Sequence, residues 1–310
     1  MKENTADIPK YNLKNFREVH RETDAIASFG NNQLEKSNSI DGFELYSSEG
    51  IKSSAGPLKS EFYRISITVT GSLDMQIGLE RYAHQPRTLA FTFPNQIFSK
   101  SNISKDASGY YMLFSADFLS DLIPAMKIAD EFPFYDIDGI PVFQISDEEL
   151  DQILSLVMHI NDELQHQQSG REKAIKMYLY LLLLEVKRCY ERQFSTHTDK
   201  AISEDYKLAN RFRKLVPQHF LTKRQVNDYA QMLGVSANHL NKTVKESTGQ
   251  TASDAIREML LQEAKSLLRY TDISVAEIAY KMDYSEPASF NRFFKSMTKE
   301  TPLTFRGKHN

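Results

Sequence analysis

The stretch VNDYAQMLGVSANHLNKTVK, residues 226–245, decides the fold of the C-terminal part of the chain, and VAEIAYKMDYSEPASFNRFFK, residues 275–295, echoes it 49 residues later. In both copies small or apolar residues recur three and four positions apart, the spacing that gives a helix one buried face. A short break and a second amphipathic segment follow. Each copy therefore has the pattern of a helix-turn-helix, and two such units on one chain indicate DNA binding.

The first copy contains the clearer turn signal. Gly234 can adopt a positive φ without a Cβ clash and so end the first helix, while Ser236 can cap the second helix by accepting a backbone N–H bond. The solvent side of that second helix is predicted to carry Asn238, Asn241, Lys242 and Lys245. Asn can form paired hydrogen bonds with an adenine edge, and Lys can reach guanine or a phosphate.

The second copy departs from the first in its turn. Ala230 and Leu240 are ten residues apart, whereas Ala279 and Phe290 are eleven apart, so the second turn has one more residue. Asp283 occupies the position of the glycine, although Asp tolerates a left-handed conformation less well. We therefore expect the first unit to carry more of the sequence discrimination.

The outer helix of the second copy also offers different chemistry. Ser285 is the predicted cap, and the predicted solvent side consists of Glu286, Ala288, Ser289, Arg292 and Lys295. Arg292 could hold O6 and N7 of guanine, and Glu286 could accept a hydrogen bond from a cytosine amine. This unit is expected to rely on Arg292, Lys295 and phosphate anchoring.

One helix is predicted between the two copies, over TASDAIREMLLQEAKSLLRYT, residues 251–271. About 18 residues at roughly 1.5 Å each form a rod of about 27 Å. Such a rod could hold the two outer helices near the roughly 34 Å repeat of successive major grooves, so that one chain reads two adjacent grooves.

These segments together resemble the DNA-binding region of the AraC/XylS family of bacterial transcription regulators. The resemblance runs from about residue 206 to 306 and includes KESTGQTASDAI, LLQEAKSLL, ISVAEIAYKMDY, FNRFFK and TPLTFR in one order. It implies base contacts at Asn238, Asn241, Lys242, Pro287, Ala288 and Arg292. Because Pro287 and Ala288 cannot donate side-chain hydrogen bonds, contact with a thymine methyl group is what remains open to them. Phosphate contacts are expected from Ser236, Lys245, Ser289 and Lys295.

Charge is distributed unevenly along the chain. Residues 201–310 contain 17 Lys and Arg against 12 Asp and Glu, whereas residues 1–200 contain 21 against 29. A basic C-terminal part attracts phosphates, and an acidic N-terminal part does not. The near-neutral total therefore hides an asymmetry that agrees with DNA binding by the C-terminal part alone.

Length and composition limit the remaining classes of protein. The 310 residues suggest two domains, and Cys189, the only cysteine, excludes an internal disulfide. The longest apolar run, near residues 177–184, is too short to span a membrane, and the N-terminus lacks the apolar segment of a signal peptide. A cytoplasmic location is the expectation.

The first 145 residues change period. Ile65, Ile67 and Val69 alternate with polar residues, and short alternating segments separated by turn signals predict an antiparallel barrel or sandwich. In regulators of the AraC type this position commonly holds a jelly-roll, cupin-like sensing barrel. An aromatic ligand pocket is predicted from Tyr63, Phe91, Phe93 and Tyr111, although the same alternation is equally typical of a packed core.

No catalytic site is predicted. A cupin enzyme needs several His and carboxylate ligands, and the strands offer only His84, in the segment HQPR that reads as an exposed turn. Phosphate loops, nucleophile elbows and paired-histidine zinc motifs are also missing from the sequence. We therefore expect no enzyme activity, no cofactor and no metal.

Two helices are predicted between the barrel and the DNA-binding region. Ser146 and Glu149 form a capping-box pattern, after which apolar residues recur at alternating spacings of three and four, at Leu150, Ile153, Val157, Ile160 and Leu164. The second helix, residues 171–194, is apolar on nearly all sides. Such a pair can serve homodimerisation, or both faces can pack within the monomer.

The sequence thus predicts an α+β multidomain protein in four parts. These are a cupin-like antiparallel β-barrel (residues 1–145), a helical pair (146–195), a linker (196–205) and an all-α double helix-turn-helix domain (206–310). The predicted partners are double-stranded promoter DNA, a small-molecule effector, a second copy of the chain and RNA polymerase, with no membrane. The alternatives are a regulator without an effector that a partner protein controls, and a cupin-type ligand-binding protein or enzyme.

Overall fold

The computed structural model describes residues 10–22, 28–32, 39–122, 128–136, 139–166, 168–194 and 204–308. The strands are β1 Lys10–Tyr11, β2 Phe43–Ser47, β3 Ala55–Ser60, β4 Tyr63–Thr70, β5 Leu73–Ile77, β6 Glu80–His84, β7 Thr88–Thr92, β8 Phe98–Ser101, β9 Ser108–Phe114 and β10 Val142–Gln144. The helices are α1 Leu13–His20, α2 Ile128–Glu131, α3 Asp147–Gln165, α4 Arg171–Phe194, α5 Glu204–His219, α6 Val226–Leu233, α7 Ala237–Thr248, α8 Ala252–Tyr270, α9 Val275–Lys281, α10 Pro287–Thr298 and α11 Pro302–Gly307.

The strands form two five-stranded sheets that pack face to face. Their orders are β1-β3-β8-β5-β6 and β10-β7-β4-β9-β2, and every pairing is antiparallel except the parallel pair β1 and β3. The predicted fold class is confirmed. Across the described strands the two sheets remain separate, so the domain is a sandwich and not a closed barrel.

The strand β4 lies at the centre of its sheet and is buried on both faces. Ile65 and Ile67 pack in the large core shared with α3 and α4. Arg64 and Thr68, which point the other way, are also buried, since they face the opposite sheet. The alternation in the sequence therefore separates two buried environments here, not a core from solvent.

The helical pair agrees with its sequence signals. Ser146 Oγ accepts from the Glu149 N–H at 3.2 Å, and the Glu149 carboxylate accepts from the Ser146 N–H at 2.8 Å, which completes the predicted capping box. The five apolar residues of α3 named above are buried against the sandwich and α4. This pair covers one outer face of the sandwich.

The predicted linker mostly falls outside the described residues, which resume at residue 204. Helix α5 already begins at Glu204, so residues 204 and 205 of the predicted linker are helical. From there α5 to α11 share one core, whose fully buried side chains include Phe212, Tyr229, Leu240 and Phe290. The helix-turn-helix segments are therefore part of one packed helical unit.

Candidate functional site

The first helix-turn-helix consists of α6 and α7, and its turn has the predicted geometry. Gly234 adopts φ 70° and ψ 29°, the left-handed conformation that glycine takes without a Cβ penalty. The Val235 N–H then donates to the Ala230 carbonyl at 3.0 Å. Ser236 Oγ accepts from the His239 N–H at 3.2 Å and so caps α7. The three residues from Gly234 to Ser236 thus join the two helices.

The second unit, α9 and α10, ends its first helix in the same way. Asp283 adopts φ 58°, and the Tyr284 N–H donates to the Ala279 carbonyl at 2.9 Å. Both bonds span five residues, from Ala230 to Val235 in the first unit and from Ala279 here. The same backbone turn therefore forms with Asp283 in place of glycine.

The two units differ in where the outer helix begins. Helix α10 begins at Pro287, with Glu286 at the cap position and no side-chain capping bond. The prediction that Ser285 caps this helix is wrong, because the extra residue of the turn moves the cap one position further. Pro287 suits the first helical position, since its fixed φ is already helical and its missing N–H needs no partner. The insertion thus lies between Tyr284 and Pro287.

The predicted contact residues mostly lie on solvent-exposed sides of α7 and α10. The exposed ones are Ser236, Asn238, Lys242, Lys245, Glu286, Ala288, Arg292 and Lys295, and the half-buried ones are Asn241, Pro287 and Ser289. Both outer helices therefore present cations and polar groups to solvent.

Several of these residues already have partners within the protein, among them Ser236, which caps α7, and Lys242, whose Nζ lies 3.8 Å from the Glu246 carboxylate. Asn241 Oδ1 accepts from the Ala252 N–H at 3.0 Å, which satisfies the first turn of α8, so its side chain connects two helices. Ser289 Oγ accepts from the Arg292 guanidinium at 3.2 Å. A base contact by Asn241 would have to use its amide nitrogen alone.

Sequence reasoning missed two residues of this region. Asn291 is exposed on α10 beside Arg292 and offers an amide to the same surface. Arg224 joins the two units: its Nε donates to the Leu221 carbonyl at 3.2 Å, and its Nη2 donates to the Met282 carbonyl at the end of α9. Its guanidinium also lies 4.5 Å from the centre of the Tyr284 ring. Helical periodicity could have found Asn291, but no local signal points to a contact across 58 residues.

A protein-family profile described as a helix-turn-helix domain matches residues 229–308. The chain carries an AraC-type helix-turn-helix domain. An uncharacterized HTH-type transcriptional regulator of Staphylococcus aureus strain MSSA476 is 32% identical over 111 residues, which are 36% of this chain and 15% of the relative. The HTH-type transcriptional regulator GlxA of Rhizobium meliloti is 38% identical over 77 residues, 25% of this chain and 24% of GlxA. The chain thus matches less than a quarter of the length of these relatives.

Two solved structures show limited similarity to this chain. The C-terminal domain of AraT, a response regulator from Geobacillus stearothermophilus, is 23% identical with a TM-score of 0.32, and the alignment covers 34% of this chain and 88% of that domain. ToxT from Vibrio cholerae O395 is 14% identical with a TM-score of 0.41, over 87% of this chain and 99% of ToxT.

The AraC-type domain contacts the sandwich through α8. The Gly56 N–H in β3 donates to Tyr270 Oη at 2.7 Å, and Arg269 donates to the Gly56 carbonyl at 3.2 Å. Gln262 donates to the Gly78 carbonyl at 2.9 Å. A cavity of about 500 Å³ lies beside this junction, and residues of both parts line it. The helix that connects the two units therefore also contacts the N-terminal domain, as does α5 through the ion pair of Arg213 with Glu80 at 2.7 Å.

A second, smaller cavity of about 70 Å³ lies between the two sheets. Of the four aromatic residues predicted to form a ligand pocket, only Tyr111 lines it. Tyr63 and Phe91 lie on the opposite face of their sheet, against Tyr135, and Phe93 lines the larger cavity at the domain junction. The four aromatic residues therefore do not line one common pocket, contrary to the prediction. Both faces of this sheet are buried, so its aromatic side chains are divided between two interiors.

His84 also differs from its prediction. It ends β6, is 1% exposed, and has Nδ1 3.2 Å from Thr68 Oγ1. The expectation of an exposed turn histidine is wrong. Burial lowers the pKa of His84 to about 4, so the ring is neutral near pH 7.

Four basic side chains surround the smaller cavity. Burial lowers the pKa of Lys100 well below its usual value, and the neighbouring Arg64 and Arg21 lower it further. Burial lowers the pKa of Arg64 to about 9. Burial likewise lowers the pKa of His20 well below its usual value, although its bond to the Phe16 carbonyl opposes that change. Burial thus makes a positive charge unfavourable on Lys100, Arg64 and His20.

Neither a metal site nor a membrane span emerges from the described part of the chain. Its His, Cys, Asp and Glu side chains form no group of three that could hold a metal ion. None of its helices combines the length and apolar character that crossing a bilayer requires.

Proposed function

We propose that this protein is a sequence-specific, DNA-binding transcription regulator. The observation that carries the proposal is the paired geometry of the two units, in which the same left-handed turn precedes an outer helix with solvent-exposed cations and polar groups. Base-edge contacts are assigned to Asn238, Lys242 and Arg292, and phosphate contacts to Lys245 and Lys295. Catalysis is not part of this proposal.

The length of α8 supports the reading of two adjacent major grooves by one chain. Its 19 residues form a rod of about 28 Å, close to the roughly 34 Å repeat of the duplex. Arg224 supports the same arrangement, because it ties the start of the first unit to the end of α9 in the second.

Control of DNA binding is assigned to the N-terminal sandwich through its contact with α8. A small molecule can shift the arrangement of two domains only by binding one arrangement better than another. The bonds of Tyr270, Arg269 and Gln262 join the two domains in the arrangement seen here, so a ligand that favours another arrangement must break them.

Homodimerisation is assigned to the helical pair. Its surface exposes three large apolar side chains, Met158 at 40%, Met177 at 51% and Leu181 at 47%. Met177 and Leu181 lie four residues apart and so share one face of α4. We expect Leu181→Glu to convert a dimer into a monomer in sedimentation velocity; a wild-type monomer at the same concentration would contradict the assignment.

The test of DNA binding begins with selection of double-stranded sequences from a random library by the full chain. The selected duplex should bind with high affinity that falls steeply as salt increases, because phosphate contacts release counterions. The double variant Asn238→Ala, Arg292→Ala should lose about 10-fold or more in affinity. Lys173→Ala, an exposed cation on α4 outside the DNA-binding domain, is the matched control and should bind as wild type.

Two outcomes would overturn the proposal. One is the absence of an enriched sequence after selection. The other is a double variant that binds the selected duplex as tightly as Lys173→Ala does.

A further inference from the structure

The small cavity between the two sheets contains two buried basic side chains with unpaired nitrogen atoms. Arg64, from β4, and Lys100, from β8, are each 6% exposed and line this cavity from opposite sheets. Arg64 Nε, Arg64 Nη2 and Lys100 Nζ form no hydrogen bond to any described residue. Buried cations are strongly destabilising unless something pairs with them.

Aromatic rings offset only part of this cost. The Arg64 guanidinium lies 3.8 Å from the centre of the Phe98 ring and 5.1 Å from that of Phe16. These contacts engage the face of the guanidinium, and its Nε and Nη2 donors remain available. Those two donors form one edge, which is the edge that a carboxylate engages with two parallel hydrogen bonds.

Arg21 shows how the same domain treats a guanidinium that belongs to the structure alone. It is 4% exposed, and it donates to Tyr111 Oη at 2.7 Å, to the Ser47 carbonyl at 3.1 Å and to the Glu49 carbonyl. Both terminal nitrogens, Nη1 and Nη2, therefore have acceptors within the protein. Among the described residues, Arg64 Nε and Nη2 lack the acceptors that the terminal nitrogens of Arg21 have.

The lining of the cavity has no negative group to serve that purpose. Among the described residues that line it are two histidines and several hydroxyls, and no Asp or Glu. Two acids outside the lining act on this region: Glu44 interacts with Arg17, Arg21 and Tyr111, and Asp74 interacts with His84. An anion in the cavity would therefore meet only donors and apolar side chains.

We propose that this cavity binds a small monocarboxylate, with its oxygens accepting from the Nε and Nη2 edge of Arg64 and from Lys100 Nζ. Its short apolar part packs against Leu73, Met75 and Ile103, which also line the cavity. The volume of about 70 Å³ admits roughly five water-sized groups, since about 10–15 Å³ suffices for one. Propionate and butyrate are of this size.

The cavity is connected to the DNA-binding domain by direct contacts. The His20 ring at its wall stacks on Phe16 at 4.1 Å between ring centres, Phe16 lies 6.2 Å from Tyr11, and Tyr11 lies 5.9 Å from Tyr270 of α8. The carboxylate is thereby the effector of the regulator. This last step rests on the proposed function, whereas the binding of the carboxylate does not.

The first arm of the test measures binding to the purified full chain, without DNA, in a buffer free of carboxylates and phosphate. Isothermal titration with sodium propionate and sodium butyrate should show saturable binding of one molecule per chain. Propionamide and butyramide, which match them in shape but carry no charge, should not bind. Binding of the amides as tightly as the acids, or absence of saturation by either acid, would overturn the proposal, and so would binding of inorganic phosphate in preference to both acids.

Variants locate the site. Lys100→Met and Arg64→Met should each weaken butyrate binding by about 10- to 100-fold, the loss of one charged hydrogen-bonding partner. Without ligand, Lys100→Met should unfold at a higher temperature than wild type, because it removes a buried amine that has no hydrogen-bond partner. Lys105→Met, an exposed cation on the neighbouring loop, is the control and should change neither property. If Arg64→Met does not fold, Lys100→Met decides alone, and wild-type affinity in that variant would overturn the assignment.

The second arm measures affinity for the selected duplex with and without butyrate. A change of about fivefold or more is expected for coupled sites, and it should vanish in Lys100→Met. Butyrate binding without such a change would uphold the site and overturn its role as effector. Butyrate binding by a chain that selects no DNA sequence would overturn the proposed function and leave the site standing.

Discussion

The two helix-turn-helix units end their first helices alike and begin their second helices differently. In both, a residue in the left-handed conformation is followed by an N–H that bonds back five residues, with Gly234 in one unit and Asp283 in the other. Helix α7 then begins with a serine cap, whereas α10 begins one residue later with Pro287 and no side-chain capping bond. The backbone turn is thus shared, and the start of the outer helix is where the repeat has diverged.

This difference separates two requirements of a helix-turn-helix. The turn must set the angle between the two helices. A left-handed residue followed by the five-residue hydrogen bond meets this requirement whether the residue is glycine or aspartate. The start of the outer helix sets which side chains face the groove, and here one inserted residue shifts that set. Four predictions below test the comparison, from the largest expected effect to the smallest.

The largest effect is expected at the residue that joins the units. Arg224→Leu removes the bonds to the Leu221 and Met282 carbonyls and the contact with Tyr284, so we expect the free energy of unfolding to fall by about 2–4 kcal/mol. Urea denaturation measures it. Arg211→Leu, at an exposed position on α5, is the control and should change stability by less than about 0.5 kcal/mol. Equal stability of the two variants would show that the units do not depend on this contact.

The next effect concerns DNA recognition by the two outer helices. Asn238→Ala should weaken binding to the selected duplex by about 1–3 kcal/mol and leave binding to unrelated duplex nearly unchanged, because its amide contacts a base. Lys295→Ala should weaken binding to both duplexes alike and lower the slope of affinity against salt by about one, because it contacts a phosphate. Fluorescence anisotropy at several salt concentrations separates the two patterns. The proposed roles would be contradicted if Asn238→Ala weakened binding to both duplexes alike and Lys295→Ala weakened only binding to the selected duplex.

The two left-handed turn residues should respond in opposite directions. Gly234→Ala should cost about 1–2 kcal/mol, since a Cβ is unfavourable at φ 70°; no atom lies within 4 Å of that Cβ position, so the cost comes from the backbone alone. Asp283→Gly should stabilise the domain by up to about 1 kcal/mol, because it removes the Cβ at φ 58°. Thermal unfolding of both variants provides the measurement. A Gly234→Ala variant that is as stable as wild type would contradict the expectation.

The smallest effect is expected at the helix caps. Ser236→Ala removes the bond to the His239 N–H and should cost about 1 kcal/mol. Glu286→Ala removes no such bond and should cost less than about 0.5 kcal/mol. If the two substitutions cost the same in chemical denaturation, the caps do not differ in the way the structure shows.

The accuracy of sequence reasoning differed between the two halves of the chain. Around Gly234, Ser146 and α4, local signals predicted the element and its boundary, because caps, turns and helical periodicity depend on residues within one or two turns. The predicted cap, Ser285, lies one residue before the observed cap position, Glu286. The inserted residue could lie before or after the start of the outer helix, and Pro287 favours the later start.

The N-terminal half was predictable in class and not in orientation. Strand β4 alternates as predicted, but alternation cannot say what packs against each face. Arg64 is one of the polar residues that alternate with Ile65 and Ile67, and its side chain lies against Phe98 of the other sheet. Phe91 looked like the interior and lies under the helices. The same ambiguity explains why His84 was expected in solvent.

The sequence by itself determined the DNA-binding part of this protein: two helix-turn-helix units, their unequal turns, and the polar side chains of the outer helices. Local backbone conformation and helical spacing encode these features, so neighbouring residues suffice to reveal them. Only the tertiary structure decided that Arg224 joins the two units, that α8 contacts the sandwich, and that Arg64 and Lys100 meet in one cavity. Those features bring together residues far apart in the chain, and which faces meet depends on how whole sheets and helices pack.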